Sequence, residues 1–366
     1  YAIEDTPIKI ISARHEQAAT FMAEAYARLT GKVAVVLVTF GPGFTNTISA
    51  MVSAQLANAP IVLIAGGQGP NASERLGLQD MRQEPIIESI VKKSLVCRSA
   101  ERIPEYVDMA VRNATQGRPG PVFLEIPIDV LDAEIDLQKV RQIGTRVASR
   151  PFDPSDACKL LEMVENSNQP IMMAGSGAHY SGAGSELTRF TELTGIPAFT
   201  LKMGRGIIPD THPLCFGSSL PIVPGCSMLA GVEADLIILL GTRLCLFTGN
   251  GKLINPKAKV IQVDIEPEEI GRNKAIDLPI FGDVKALLTE CCRLVTEKGN
   301  SETLNTRFAG WVETLKTADR SGKVAAEQKF PAAASPVYPG LLAREVDRFM
   351  NREDDLIAAD GGEAQI

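Results

Sequence analysis

The sequence predicts an α/β protein built from doubly wound parallel sheets in more than one domain, and three observations predict it. Short apolar runs that read as buried strands alternate with segments of helical periodicity. Glycine-bearing turns follow those runs, as they do where parallel strands deliver the chain to crossover helices. The length, 366 residues, is about twice what one hydrophobic core holds. Apolar residues at 45%, charged residues at 22%, 31 glycines and 23 prolines are the composition of an ordinary soluble α/β protein. The net charge of -7 comes with no clustered basic face, which argues against nucleic acid or an anionic membrane surface and for small-molecule partners. No run approaches the ~20 apolar residues of a membrane span. Seven cysteines without a CxxC pair read as reduced thiols in a reducing, cytoplasmic compartment.

The elements follow in order. Residues 8–13 form a short apolar run that reads as a strand. A helix follows, with Ala18, Phe21, Met22, Ala25, Tyr26 and Leu29 at helical spacing as its buried stripe and Gly31 as its left-handed cap. "VAVVLVTF" is a buried strand, "GPGFTN" a tight turn, "TISAMVSAQLA" a helix and "PIVLIAG" a further buried strand. Residues 83–116 look mainly helical, and "PGPVFLEIPIDV" closes the first unit, residues 1–131, with a strand. Polar, aperiodic residues 132–155 read as a linker. A second unit, residues 156–297, holds the strands "QPIMMAG", "IPAFTL", "ADLIILLG" and "KVIQVDI", a helix to Thr194 and the helix "VKALLTECCRLV". Residues 298–335 suit a connector with one amphipathic helix around Trp311, and residues 336–366 restart a helix and strand as the opening of a third unit. The absent initial Met and the ending just past a strand and glycine turn are expected of a longer chain lacking both ends.

Open parallel sheets bind ligands where the turns lie, at the carboxyl ends of their strands. Glu16 is expected there, in "ARHEQ", beside "TFGPGFTN" and "AGGQGPN"; by position alone it reads first as a first-turn carboxylate that complements the helix dipole. In "TFGPGFTN" two glycines flank Pro42, giving a fixed, bare backbone that a flat ring can approach, with Thr39 and Asn46 as polar handles. The turn lacks the GK[ST] ending of a phosphate loop. In the second unit "GSGAHYSG" has Tyr180 where a dinucleotide fingerprint needs its third glycine, which argues against a nicotinamide site. Gly175, Gly177, Arg243 and Asp264 nevertheless stand at predicted strand ends. Asp264 can accept from ribose hydroxyls and Arg243 can meet a phosphate, or both can simply brace the domain. His15, His179 and His212 share no ligand spacing, and no GxSxG occurs, so zinc and triad chemistry find no support.

"ARHEQAATFMAEAYARLTGK", "LVTFGPGFTN", "GLQD", "GRPGPVFLEIPIDV", "MGRGIIPDTHP" and "KVIQVDIEPEEIGRN", in that order along nearly the whole chain, resemble the thiamine diphosphate-dependent enzymes of the acetolactate synthase-like superfamily, including benzaldehyde lyase and the 2-hydroxyacyl-CoA lyases. The resemblance implies a pyrimidine-binding domain, a Rossmann-like central domain and the start of a diphosphate-binding domain. It implies that Glu16 hydrogen-bonds the aminopyrimidine N1′ of thiamine diphosphate, from an apolar cleft that raises its pKa. Thr39, Gly41, Pro42 and Asn46 match the loop beneath that ring, and Gln79 matches the glutamine that reaches toward the reacting centre. Arg14 and His15 are structural or rim residues.

The Mg2+ and diphosphate ligands are expected outside this chain segment, so no metal ligand is assigned in it. "TRLCLF" and Ile128 in "IPIDV" depart from the FAD-binding pattern, which leaves FAD, ADP or nothing for the central domain. The resemblance implies a homodimer or homotetramer with the active site between subunits, and a carbon-carbon lyase or ligase acting on 2-keto acids or 2-hydroxy ketones. A 2-hydroxyacyl-CoA lyase or oxalyl-CoA decarboxylase is the alternative within the superfamily. A non-catalytic nucleotide-binding or electron-transfer module is the alternative from another class.

Overall fold

A computed structural model describes residues 6–69, 71–141, 143–144, 152–219, 225–299, 301–328, 337–350, 352 and 355–357. The chain divides into two units, Tyr1–Arg150 and Pro151–Ile366. The first contains α1 (Glu16–Thr30), β1 (Ala34–Val38), α2 (Pro42–Thr45), α3 (Ile48–Ala57), β2 (Ile61–Gly67), α4 (Glu84–Ile87), β3 (Lys93–Val96), α5 (Ile103–Thr115), β4 (Val122–Pro127) and α6 (Ile128–Leu131). Its four strands form one sheet in the order β1-β2-β4-β3, every pair parallel. The parallel strands require crossovers, so helices cover the sheet: Ala23 and Ala27 of α1 and Met51 and Ala54 of α3 pack with Ile61, Leu63 and Phe123. Ala110 and Ala114 of α5 pack on the opposite side with Val62, Val122 and Leu124.

Three expectations are corrected here. Residues 8–13 form no strand, and Ile8, Ile10 and Ile11 are exposed. The apolar stripe of α1 faces outward: Ala18, Phe21, Met22, Ala25, Tyr26 and Leu29 are all exposed, while Thr20, Ala23, Glu24 and Ala27 face the core. Small residues on the inner side let the helix lie close to the sheet, and periodicity alone does not say which stripe a helix turns inward. Residues 83–116, read as mainly helical, also contain the strand β3, between α4 and α5.

The second unit contains α7 (Pro154–Glu165), β5 (Pro170–Ala174), α8 (Ser176–Ser181), α9 (Gly184–Thr194), β6 (Ala198–Thr200), β7 (Cys215–Ser218), α10 (Ser227–Glu233), β8 (Leu236–Leu240), β9 (Lys259–Asp264), β10 (Leu278–Phe281), α11 (Val284–Glu297), α12 (Ser301–Arg307), α13 (Ala309–Gln328) and α14 (Pro339–Phe349). Its sheet runs β10-β9-β8-β5-β6-β7, again all parallel. The chain builds outward from β5 to β7, returns to β8 beside β5, then builds the other way. A crevice therefore opens at the carboxyl ends of β5 and β8. One side of this sheet packs on α7, α9 and α11, the other on α10 and α13.

Leu304 and Phe308 join the first of these cores, Trp311 and Leu315 the second, and the Trp311 indole N–H donates to Pro170 O at 3.2 Å. The one connector helix expected around Trp311 is α13, and together with α12, which was not expected, it packs into this unit's cores. The helix expected after residue 336 is α14; of the strand and glycine turn expected after it, residues 355–357 are described and form no strand, and the rest lie outside the described residues. All seven cysteines are unpaired, and burial pushes the Cys226 thiol up to about 12 and the Cys292 thiol up to about 11. Thiols held so far above neutrality are poor nucleophiles. No described helix is long and apolar enough to cross a membrane.

Candidate active site

Glu16 opens α1. His15 caps the helix, its Nδ1 accepting from Gln17 N at 3.1 Å, so the imidazole has a structural task. The extended backbone at His15 sends the next side chain toward the β1 carboxyl end, where Asn46 Nδ2 donates to Glu16 Oε2 at 3.0 Å. Oε1 turns toward the bend: a Cβ placed on Gly43 would stand 3.6 Å from it and 2.6 Å from Thr39 Cγ2. Only a residue without a side chain lets these groups meet over the backbone of Gly41, Pro42 and Gly43. Gly41 has φ of 67°, and Pro42 then starts the short helix α2 at its favoured position.

Gln79 arrives from the far side, in a left-handed conformation at φ of 61°. Its side-chain Oε1 accepts from Thr39 Oγ1 at 3.4 Å, and its Cβ and O press so close to Gly41 that an added Cβ would lie 2.8 Å from each. The structure thus brings Glu16, Thr39, Gly41, Pro42, Asn46 and Gln79 into one cluster. Thr39, Pro42 and Asn46 are exposed, Glu16 and Gln79 half-buried, so the cluster opens to solvent on one side. A bare bend carrying a carboxylate and two amides suits a flat heterocycle with hydrogen-bonding nitrogens.

The expected rise in the Glu16 pKa is corrected. The Asn46 amide, followed by Glu16's own backbone, holds the carboxyl below its ordinary value and outweighs desolvation. Sequence reasoning missed Gln83. Its side chain is buried beneath the bend, accepting from Gly41 N at 3.2 Å and donating to Gly66 O at 2.8 Å and Glu125 Oε2 at 2.9 Å. Nothing in "MRQEP" marks it, since its partners lie on three separate segments.

In the second unit a cleft of about 320 Å³ lies at the β5/β8 crevice, lined among others by Ser176, Lys202, Thr242, Arg243, Asn250 and Arg272. Arg243 and Arg272 flank the buried Glu269, at 3.5 and 2.8 Å. Of the four residues expected here, only Arg243 lines the cleft. Gly175 and Gly177 instead allow the β5 turn to press on the β8 turn, where added Cβ atoms would strike Thr242 and Gly241 at 2.5 and 2.6 Å. Asp264 Oδ1 accepts from Glu266 N at 2.9 Å, bracing its own turn. Among the described residues, no group of three or more His, Cys, Asp or Glu side chains could hold a metal ion.

Residues 1–86 match the family profile "Thiamine pyrophosphate enzyme, N-terminal TPP binding domain" and residues 158–291 match "Thiamine pyrophosphate enzyme, central domain". The chain is 34% identical to a probable acetolactate synthase large subunit of Methanocaldococcus jannaschii, over 79% of this chain and 50% of the relative. It is 31% identical to a probable acetolactate synthase large subunit of Methanococcus aeolicus, over 96% of this chain and 61% of the relative. It is 36% identical to an acetolactate synthase of Arthrospira platensis, over 77% and 50%. The chain therefore spans about half the length of the curated relatives it matches. The Glu16 cluster falls within the first matched segment and the cleft residues within the second, and the chain belongs to the thiamine pyrophosphate enzymes, of which it carries the N-terminal and central domains in an acetolactate synthase-like form.

Proposed function

We propose that the whole protein is a thiamine diphosphate-dependent carbon-carbon lyase or ligase acting on 2-keto acids or 2-hydroxy ketones. The observation that carries this reading is the gathering of Glu16, Asn46, Thr39 and Gln79 around the bare Gly41–Gly43 backbone, inside the segment matching a TPP-binding domain. The residues fit the aminopyrimidine half of the cofactor: a glycine-flanked bend for its face and a carboxylate oxygen, Glu16 Oε1, turned toward that bend. When bound, thiamine diphosphate supplies the electron sink that lets a bond to a carbonyl carbon form or break. Glu16 holds and returns a proton at a ring nitrogen, Asn46 orients its carboxyl, and Gln79 directs an amide at the substrate oxygen.

Closing a site around Glu16 removes water from it and moves its pKa upward from the low value set by Asn46. The exposed apolar side of α1 and the open side of the cluster favour a homodimer or homotetramer in which a second subunit completes the site. No described residue of this chain is assigned to Mg2+ or to the diphosphate. In the central cleft, Lys202, Arg243 and Arg272 suit the diphosphate of an adenine nucleotide, ADP or FAD. The unpaired, buried thiols favour a reducing, cytoplasmic setting.

Titrating the complete protein with thiamine diphosphate and Mg2+ should raise its melting temperature and change its near-UV circular dichroism. Glu16→Gln should cut turnover by about 10²–10⁴, the usual range for a positioned proton carrier. An unchanged rate of cofactor C2 proton exchange in that variant refutes the assignment.

A further inference from the structure

We propose that Gln83 is a positioning residue that sets the cofactor-facing bend, by tying the ends of β1, β2 and β4 together through one buried amide. The inference rests on the reading that the Gly41–Gly43 bend receives the aminopyrimidine. Gln83 touches neither Glu16 nor the open side of the cluster. It lies beneath, 2% exposed, with Oε1 accepting from Gly41 N and Nε2 donating both to Gly66 O and to Glu125 Oε2. A primary amide is the one neutral side chain that offers an acceptor and a pair of donors in a single plane.

Each bond matters for a stated reason. Gly41 has a left-handed backbone and is pressed from outside by Gln79, so its N–H points inward, where the Gln83 side chain rather than a helical or ladder carbonyl takes it. Gly66 O and Glu125 belong to neighbouring strands, β2 and β4, whose pairing aligns Ala65 with Glu125 and Gly66 with Ile126. Gln83 therefore transfers the register of two central strands to the bend that follows the outer strand β1. Thr39, Gly43 and Asn46, which surround Glu16, ride on that bend. Removing the amide takes away the side-chain partner of the buried Gly41 N–H, of Gly66 O and of Glu125 Oε2, and frees the bend to shift by a fraction of an ångström. A loss of that size is felt in ligand positioning before it is felt in folding.

The test uses the complete protein with thiamine diphosphate and Mg2+, comparing wild type, Gln83→Leu and the paired exchange Gln83→Glu with Glu125→Gln. In the pair, the carboxylate introduced at position 83 accepts from Gly41 N and from the amide introduced at position 125, restoring two of the three links. For Gln83→Leu the cofactor concentration for half-maximal activation should rise at least tenfold, while kcat at saturating cofactor stays within about threefold. Amide hydrogen exchange across residues 39–46 should quicken at least tenfold without matching change in β2 and β4. The pair should recover at least half of the lost affinity on a logarithmic scale.

A cofactor constant within twofold of wild type in Gln83→Leu overturns the proposal, as does exchange that quickens equally throughout the first unit. If Gln83→Leu does not fold, failure of the folded pair to bind better than tenfold below wild type overturns it as well. Should the wild type itself show no response to thiamine diphosphate, the cofactor reading falls and this inference with it. A wild-type response lost in Glu16→Gln but unchanged in Gln83→Leu sinks the inference alone.

Discussion

At the scale of single residues, Glu16 is governed by a neighbour thirty positions away. Asn46 donates to its carboxylate, so the charged form is favoured in the folded chain and the pKa lies below the ordinary 4.5. A depressed folded value means that this contribution to stability is present above the unfolded pKa and is lost as pH falls through the folded one. Replacing Asn46 with Ala should return the Glu16 carboxyl toward its ordinary value, an upward shift readable in a carbon-13 NMR titration. An unchanged titration would show that the amide does not set it. Glu125, beside Gln83, behaves oppositely: burial pushes it above its ordinary value, and the Gln83 amide only partly offsets this. Neither direction was legible in the sequence. The motif "RHE" placed Glu16 at a strand end, but Asn46 entered the sequence reading as a ring contact, not as the partner of the carboxylate.

At the scale of elements, the bend between β1 and α2 is held from both sides, by Gln79 above and Gln83 below. Gly41→Ala would place a Cβ 2.8 Å from Gln79 backbone and side chain while also occupying φ of 67°, whereas Gly31→Ala at the same φ meets nothing within 4 Å. The left-handed conformation alone costs about 1 kcal/mol. Gly41→Ala should therefore lower stability by about 1–3 kcal/mol more than Gly31→Ala, measured by denaturant unfolding of the first unit's signal. Equal losses would show that Gln79 yields freely. Strands flanked on both sides, such as β2, β4, β5, β8 and β9, were readable as continuous apolar runs, because both their faces are covered. The strands that escaped notice, β3, β7 and β10, are sheet edges. They are short and partly exposed, so nothing in "KSLV" or "CFGS" requires a strand without its neighbour.

At the scale of the whole molecule, two of the first unit's elements that turn apolar surface toward solvent stand out. The α1 stripe is one; the outer face of β1 is the other, with Val35 at 56% and Leu37 at 65% exposure. β1 is apolar on both faces because its sequence is that of a covered strand, and the stripe on α1 is wider than its own core contacts need. Such surface is uncommon on a finished monomer. Introducing glutamates at Met22 and Leu29 in the complete protein should shift sedimentation toward a single chain and abolish the thiamine diphosphate response. An unaltered oligomer would remove α1 from the interface. The second unit has a feature of a different kind. Trp311, the one tryptophan in the sequence, is buried there with its indole bonded to Pro170 O. Intrinsic indole emission therefore arises inside the second unit, where it reads out whether α13 stays seated against β5 without any attached label.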